Sequence, residues 1–364
     1  MKKVILSAIA VSTLVMADGV EIKSKAPVIE FSGTHYLGFV NKSSEAKDGT
    51  TTDTNYFEGR RNYLQAKAFF KENPKDYIRV TMDTTSEKDA KHGTETSQSK
   101  TGYQDVILKY AYLYLDDVLP STGVELGQAH RPWIDYEEHG GWNYRSISKV
   151  FVEDDNGAHL TNSADVGVNF KTKTPYFSSE LGLFNGEGYH GTPTGTDGEN
   201  KLSAEWRLTG HILGTGKDKA KSDKQYANIS YFGQKNEDKS GKGDLNWHGV
   251  HAVYNQPEFL LSAQYIETQK AIVDVAGEGY SVNAEARIAP KLALIGRYDN
   301  YKMADATQAQ NDKTRTIAGV TYDYNKNVKF IANYQGEEFE LGGSSKASTV
   351  KSSDAMMLTA EVKW

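Results

Sequence analysis

Read at a period of two, the chain resolves into sixteen stretches in which apolar and polar positions alternate. They run over 28–40, 54–70, 76–84, 103–116, 122–131, 161–171, 175–185 and 201–213. The second half continues with 224–234, 243–255, 257–268, 278–289, 290–302, 312–325, 327–337 and 354–364. In ten of them one row of alternate positions is free of Asp, Glu, Lys and Arg through the centre of the stretch. Such rows are Ile78, Val80, Met82; Val106, Leu108, Tyr110, Tyr112, Tyr114; and Leu202, Ala204, Trp206, Leu208. Further along come Tyr280, Val282, Ala284, Ala286, Ile288 and Val328, Phe330, Ala332, Tyr334. The opposite rows carry Arg79, Lys109, Glu205 with Arg207, Glu285 with Arg287, and Lys329. The final stretch sets Met356, Leu358, Ala360, Val362 and Trp364 against Met357, Thr359, Glu361 and Lys363, and stops on an aromatic residue. A β-sandwich also keeps one row apolar. A bilayer is stricter, because an Arg or Lys facing lipid at the midplane costs about 2–4 kcal/mol.

The connections separate these two architectures. In the first half long ones (41–53, 85–102, 132–160, 186–200) alternate with short ones (71–75, 117–121, 172–174). After an ambiguous 214–244, tight turns at Gln256, Ala289-Pro290-Lys291 and Asn325-Lys326 alternate with 269–277, 303–311 and 338–353. Short periplasmic turns and long outer loops are the pattern of an antiparallel barrel threaded through a membrane. The expected fold is all-β: a transmembrane antiparallel β-barrel of about sixteen strands, fourteen or eighteen if 214–244 is miscounted. Both ends then lie on the periplasmic side, and residues 18–364 form one domain without solenoid repeats.

The start of the chain fits export. Lys2 and Lys3 precede an apolar run from Val4 to Met16, and Val15-Met16-Ala17 before Asp18 offers a cleavage site. This is the pattern of a secretory signal peptide cleaved after Ala17. Its removal moves the formal charge from −6 to −8. No later run of eighteen apolar residues occurs, which excludes a helical membrane protein. The mean hydropathy of −0.61 is compatible with a barrel, whose lipid-facing and lumen-facing residues average to polar. Twenty-two Tyr, thirteen Phe and five Trp suit aromatic girdles at two membrane interfaces. The absence of cysteine excludes disulfides and a lipoprotein anchor. The acidic balance argues against nucleic-acid binding.

Several consecutive segments resemble the phosphate-selective porin O and P family. They are Phe57-Glu58-Gly59-Arg60-Arg61, Asp76-Tyr77-Ile78-Arg79-Val80, the Lys-Tyr-Ala-Tyr core of Val106–Asp116, and Val124-Glu125-Leu126-Gly127-Gln128 leading to Arg131-Pro132. The resemblance covers about 54–160. It implies a channel passing small hydrophilic solutes and ions by diffusion, anions among them, in a homotrimer set in outer-membrane lipids. It also implies that the third outer loop, 132–160, folds inward. Phosphate selectivity is not implied, because this loop mixes Asp135, Glu137 and Glu138 with Arg145 and Lys149.

A sixteen-stranded barrel leaves an aqueous lumen that something must narrow. The expected constriction sets the loop acids Asp135, Glu137 and Glu138, with Arg145 and Lys149, against Arg61, Lys67, Arg79 and Lys109 on the wall and Arg131 at the loop's root. Opposed rows of charge set ion preference. The terminal Trp364, with Val362 and Ala360, is expected to act as the membrane-insertion signal. Other motifs are weak. His248 and His251 are three apart on a strand and point to opposite faces, so no metal site is expected. Gly214-Thr215-Gly216-Lys217 has the wrong spacing for a phosphate loop and reads as a hairpin turn. No nucleophile elbow links Ser, His and Asp, and no cofactor is expected. An outer-membrane enzyme of the lipase or protease type is the alternative reading, together with an adhesive or structural barrel. A gated transporter would need a plug domain, and only about ten residues stand between the cleavage site and the first stretch.

Overall fold

Every one of the sixteen stretches forms a strand in the computed structural model. It describes residues 27–86, 104–186, 188–189, 202–236, 245–272, 275–303, 312–339 and 350–364. The expected signal peptide lies outside the described residues, as does most of the expected 186–200 connection. The first eight strands are β1 (Val28–Ala46), β2 (Thr51–Phe69), β3 (Tyr77–Ser86), β4 (Gln104–Leu119), β5 (Thr122–His130), β6 (Ala164–Lys173), β7 (Phe177–Phe184) and β8 (Ser203–Leu213). The others are β9 (Tyr226–Asn236), β10 (Leu245–Gln256), β11 (Phe259–Ile272), β12 (Val275–Ala289), β13 (Leu292–Met303), β14 (Lys313–Asp323), β15 (Val328–Phe339) and β16 (Val350–Lys363). Each pairs antiparallel with the next, and β16 returns to β1 to close the barrel. Closure leaves no strand edge with unpaired backbone groups.

The seam uses the terminal residue itself. Trp364 N donates to Gly33 O at 3.1 Å and Gly33 N to Trp364 O at 3.0 Å. The Trp364 indole lies across Gly33, where a Cβ would collide with the ring, and its Nε1 donates to His35 Nε2 at 3.0 Å. Met356 and Leu358 face outward, while Met357, Thr359 and Glu361 are buried in the interior. The same parity holds elsewhere: Ile78, Val80, Leu208, Val282, Ile288 and Phe330 are exposed outside, and Glu205, Arg207 and Glu285 are buried inside. Outward aromatics pair across neighbouring strands: Tyr265 faces Tyr280 midway along β11 and β12, and Tyr322 faces Phe330 across β14 and β15 near the rim that carries their connecting turn.

Three features of the wall depart from a regular alternation. The row Val106, Leu108, Tyr110, Tyr112, Tyr114 does not keep one face. Thr81 pairs with Tyr110 but Met82 with Leu108, so Lys109 is an extra residue in β4. A bulge of one residue turns every later side chain to the other face. Val106 and Leu108 point out, Lys109 and Tyr110 both point in, and Tyr112 follows them. A second bulge lies in β2, where Tyr36 pairs with Arg61 but Leu37 with Gly59. The extra residue is Arg60, so two adjacent arginines reach the interior. Third, 41–53 and 269–277 are not long connections. The strands run on to a tight turn at Asp48-Gly49, where Asp48 accepts from Thr50 N at 2.9 Å, and β11 and β12 continue to Ile272 and from Val275. Polar residues that read as loop are strand, because each barrel wall extends past the apolar band.

The apolar core sits inside the barrel and off-centre. Trp133, Trp142, Ile147, Val150 and Phe151 from the segment between β5 and β6 pack on Phe232, Ile266, Ile295, Ile317 and Ile331, inward residues of β9, β11, β13, β14 and β15.

Candidate functional site

The segment joining β5 to β6 leaves the wall at a locked root. The Arg131 guanidinium meets the Glu205 carboxylate on β8, Nε donating at 2.9 and 3.0 Å, with both side chains buried. Arg131 N donates to Ser163 O at 3.2 Å and closes the base. Trp133 follows at φ 89°, an unfavourable conformation for a large residue. Its indole stacks on Phe232 with centroids 3.7 Å apart, which holds it there. One short helix, α1 (Ile134–Gly140), comes next. Its carbonyl end is fastened to the far wall: Tyr226 OH donates to Gly140 O at 3.0 Å and Ser262 OH to Gly141 O at 3.1 Å.

Beyond α1 the segment crosses the interior in contact with β13 to β15 and with β2. Gln335 donates to Ile147 O at 3.0 Å and Arg297 to Lys149 O at 2.7 Å. Arg315 bridges Asp154 of the segment and Asp299 of β13, at 2.7 Å to each, and Arg297 closes on Asp299 at 2.8 Å. From the opposite side Arg60 donates to Ser146 O at 2.5 Å, and Arg145 Nε reaches Tyr63 OH at 3.4 Å.

Two cavities flank this crossing, of about 400 Å³ and about 300 Å³, and Arg145 lines both. The larger brings together Arg79, Lys109, Asp135, Glu138 and Arg145 of the expected constriction, with Tyr36, Tyr63 and Tyr110. The smaller holds Arg61 and Lys149 with Arg60, Lys42 and Glu337. Three expected residues line neither. Lys67 sits over the Tyr77 ring at 4.9 Å. Arg131 is the buried root. Glu137 is fully buried between α1 and β11, where Gln264 donates to it. The three acids therefore do not share a face.

Wall cations divide by partner. Arg61 is paired with the buried Asp83 at 3.2 Å. Arg79 instead donates to Thr81 Oγ1 at 3.0 Å and His130 Nε2 at 3.1 Å, its guanidinium 4.6 Å from the Tyr110 centroid. Lys109 stands 4.6 Å from the Tyr63 centroid. Among the described residues no carboxylate lies within 4.0 Å of Lys67, Arg79 or Lys109.

The loop charges are tightly coupled. Burial opposes the Arg145 charge, but the Glu153 carboxylate, at 2.5 Å, outweighs it and holds the guanidinium above its ordinary range. Glu153 is in turn held well below the usual carboxylate range, Arg145 and Lys149 overcoming the effect of burial. Glu138 also pairs with Arg145. Burial pushes Glu137 up to about 7, against the pull of Arg297 and the Gln264 hydrogen bond. Asp135 is kept low despite burial by His130, His139 and Lys171.

The lumen tyrosines Tyr36, Tyr63, Tyr110 and Tyr112, together with Asp83, Arg60 and the Arg297–Asp299–Arg315–Asp154 chain, were not legible as site residues. The tyrosines of β4 hide behind the bulge. The ion-pair chain joins residues more than 140 positions apart.

No protein-family model and no curated protein matches the sequence. Solved structures do match in fold. The chain is similar to OmpT of Vibrio cholerae at 14% identity, covering 94% of this chain and 99% of that one, with a TM-score of 0.62. It is similar to an anion-selective porin from Comamonas acidovorans at 14% identity, covering 93% and 99%, with a TM-score of 0.63. It is similar to OmpF of Salmonella typhi at 15% identity, covering 95% and 100%, with a TM-score of 0.61. The sixteen-stranded antiparallel barrel of this chain is a porin-like fold.

Proposed function

We propose that this chain is a porin of the bacterial outer membrane, exported with cleavage after Ala17, through which small hydrophilic solutes and ions diffuse passively. The observation that carries the reading is the junction at Arg145. A segment crossing the interior meets the wall there, between two polar cavities lined from opposite sides by charge. Asp135 and Glu138 face Arg79 and Lys109 across the larger one. Charge in a water-filled pore is screened over about 8 Å, so it acts on permeating ions only where the lumen is about that narrow. The crossing segment is the constriction. Arg61, Arg131 and Glu137 position it, and Arg79, Lys109, Asp135, Glu138 and Arg145 face the solute.

Selectivity for anions is supported by Arg79 and Lys109, which lack carboxylate partners, and by similarity to a porin described as anion-selective. Phosphate selectivity of the O and P kind is not part of the proposal, since the crossing segment presents acids to the lumen. A homotrimer agrees with OmpT of Vibrio cholerae, whose structure is described as a trimer form.

Reconstitution into a planar bilayer tests the reading. Steady single-channel current steps support it, whereas silence of correctly folded protein points to the enzymatic or adhesive alternative. Deleting 136–148 should raise single-channel conductance, and unchanged conductance would place the narrow point elsewhere. The terminal residue tests the membrane assignment. Trp364→Asp should prevent recovery of heat-modifiable barrel from the outer-membrane fraction, while Lys363→Gln, at the same rim, should be mild. Equal effects contradict an insertion role for Trp364.

A further inference from the structure

A second segment enters the lumen from the opposite end. Most connections on the side of the chain termini are turns of two to seven residues, but Leu213 of β8 and Tyr226 of β9 are joined by twelve, 214–225. Their backbone is held by inward side chains. Asn255 Nδ2 donates to Lys224 O at 2.6 Å and Arg287 to Ser222 O at 3.1 Å. Gly216 N donates to Pro175 O at 3.0 Å in the β6–β7 turn. The segment thus spans the mouth from β6 to β12. Ala220 packs on Tyr226, Val253 and Leu260 and comes close to Gly140 of α1, so the two entering segments meet inside the barrel.

Its charge is one-sided. Lys217, Lys219, Lys221 and Lys224 outnumber Asp218 and Asp223, and all four lysines are exposed. Among the described residues none has a carboxylate within 4.0 Å. Lys219 stands in electrostatic reach of Lys67, Lys173 and Asp135. A cation without a partner, fixed at a narrow mouth, acts on whatever permeates.

We propose that 214–225 is a second selectivity element for small anions. It stands in series with the Arg145 crossing, and Lys219 with Lys67 forms its cationic collar at one mouth. The inference rests on the channel reading and extends it, because charge placed at one end makes the pore asymmetric.

The test uses the full-length protein in planar bilayers with potassium chloride, comparing Lys217→Glu/Lys219→Glu/Lys221→Glu with the unaltered chain. The unaltered channel should favour chloride and rectify at low salt. The variant should lower the chloride-to-potassium permeability ratio by about twofold or more and reverse the sense of rectification, both effects fading as salt rises. A second variant, with 215–224 replaced by an Asn-Gly hairpin turn, should conduct more and lose rectification. Heat-modifiable gel mobility shows that either variant has closed its barrel. Channels whose selectivity and rectification are unmoved by both variants overturn the inference and leave the channel reading standing. Absence of channels from the unaltered protein overturns both.

Discussion

Two sets of cations inside the same barrel are partnered in opposite ways. On β12 to β14 each inward arginine has a carboxylate: Arg287 with Glu285 at 2.6 Å, Arg297 with Asp299 at 2.8 Å, Arg315 with Asp299 and Asp154 at 2.7 Å. On β2 to β4, Lys67, Arg79 and Lys109 have tyrosine faces instead, at 4.9, 4.6 and 4.6 Å. The difference begins with neighbours two positions away, which share a face of the strand. Glu285 and Arg287 are two apart, as are Arg297 and Asp299. Lys67 has Gln65 and Phe69, and Arg79 has Tyr77 and Thr81. A carboxylate cancels the field of a cation, whereas an aromatic face attracts it by about 0.5–2 kcal/mol and leaves its net charge in place. Arg287, Arg297 and Arg315 are therefore neutralised by carboxylates, whereas Lys67, Arg79 and Lys109 keep their net charge towards the interior.

The sharpest way to break this division is Arg315→Met. It leaves Asp154 and Asp299 buried without their shared partner, and removing one member of such a set costs about 3–5 kcal/mol. The temperature at which gel mobility shifts should fall, and the 132–160 segment should become cleavable by protease. Adding Asp154→Asn should restore much of the loss, because Asp299 keeps Arg297 as a partner and what costs energy is the charge stranded at Asp154. No recovery in the double variant would mean that the arginine acts through packing.

An intermediate effect is expected of the other set. Arg79→Gln with Lys109→Gln should lower anion preference several-fold, as expected of charges worth about 1 kcal/mol each at 4 Å in water. The melting temperature should hardly move. Arg61→Glu should do the reverse, since it faces the buried Asp83 with a like charge. If both substitutions shift selectivity and stability equally, the two classes of cation are not distinct.

The smallest effect is a pH dependence centred on the crossing segment. Glu137 is raised from 4.5 to about 7 in the folded chain, so the folded state binds more protons between these values. Its contribution to docking is complete below about 4.5, declines as pH rises towards 7, and is lost above it. Arg297, Gln264 and Asp299 face the carboxyl from β13 and β11, His251 of β10 lies beyond Gly141, and Trp133 packs alongside. Protease sensitivity of 132–160 should increase over that range, and Glu137→Gln should flatten the profile. An unchanged profile in the variant assigns the titration to another group.

Much of the barrel was legible because a membrane wall writes its constraint locally. A strand with lipid on one side and water on the other must alternate, and each of sixteen stretches shows this within ten or so residues. The failures were also local in origin. A bulge at Arg60 or Lys109 changes parity without changing composition, so Tyr110 and Tyr112 read as lipid-facing when they line the lumen. The turn at Asp48-Gly49 lies within 41–53, whose polar flanking strand resembled loop.

The site was legible only as a set of names. Sequence order placed Arg79, Lys109, Asp135 and Arg145 in strands and loop of the correct kind. It could not show that Glu137 turns away while Glu138 turns in, since a helix of seven residues presents both faces and its docking decides which is wet. Nor could it show that 214–225 folds inward, because Asn255 and Arg287, which hold it, come from strands named by no local motif. Alternation and turn chemistry are nearest-neighbour properties, and the sequence alone determines them. Which charges are cancelled depends on contacts between residues such as Asp154 and Arg315, 161 positions apart, and only closing the barrel brings them together.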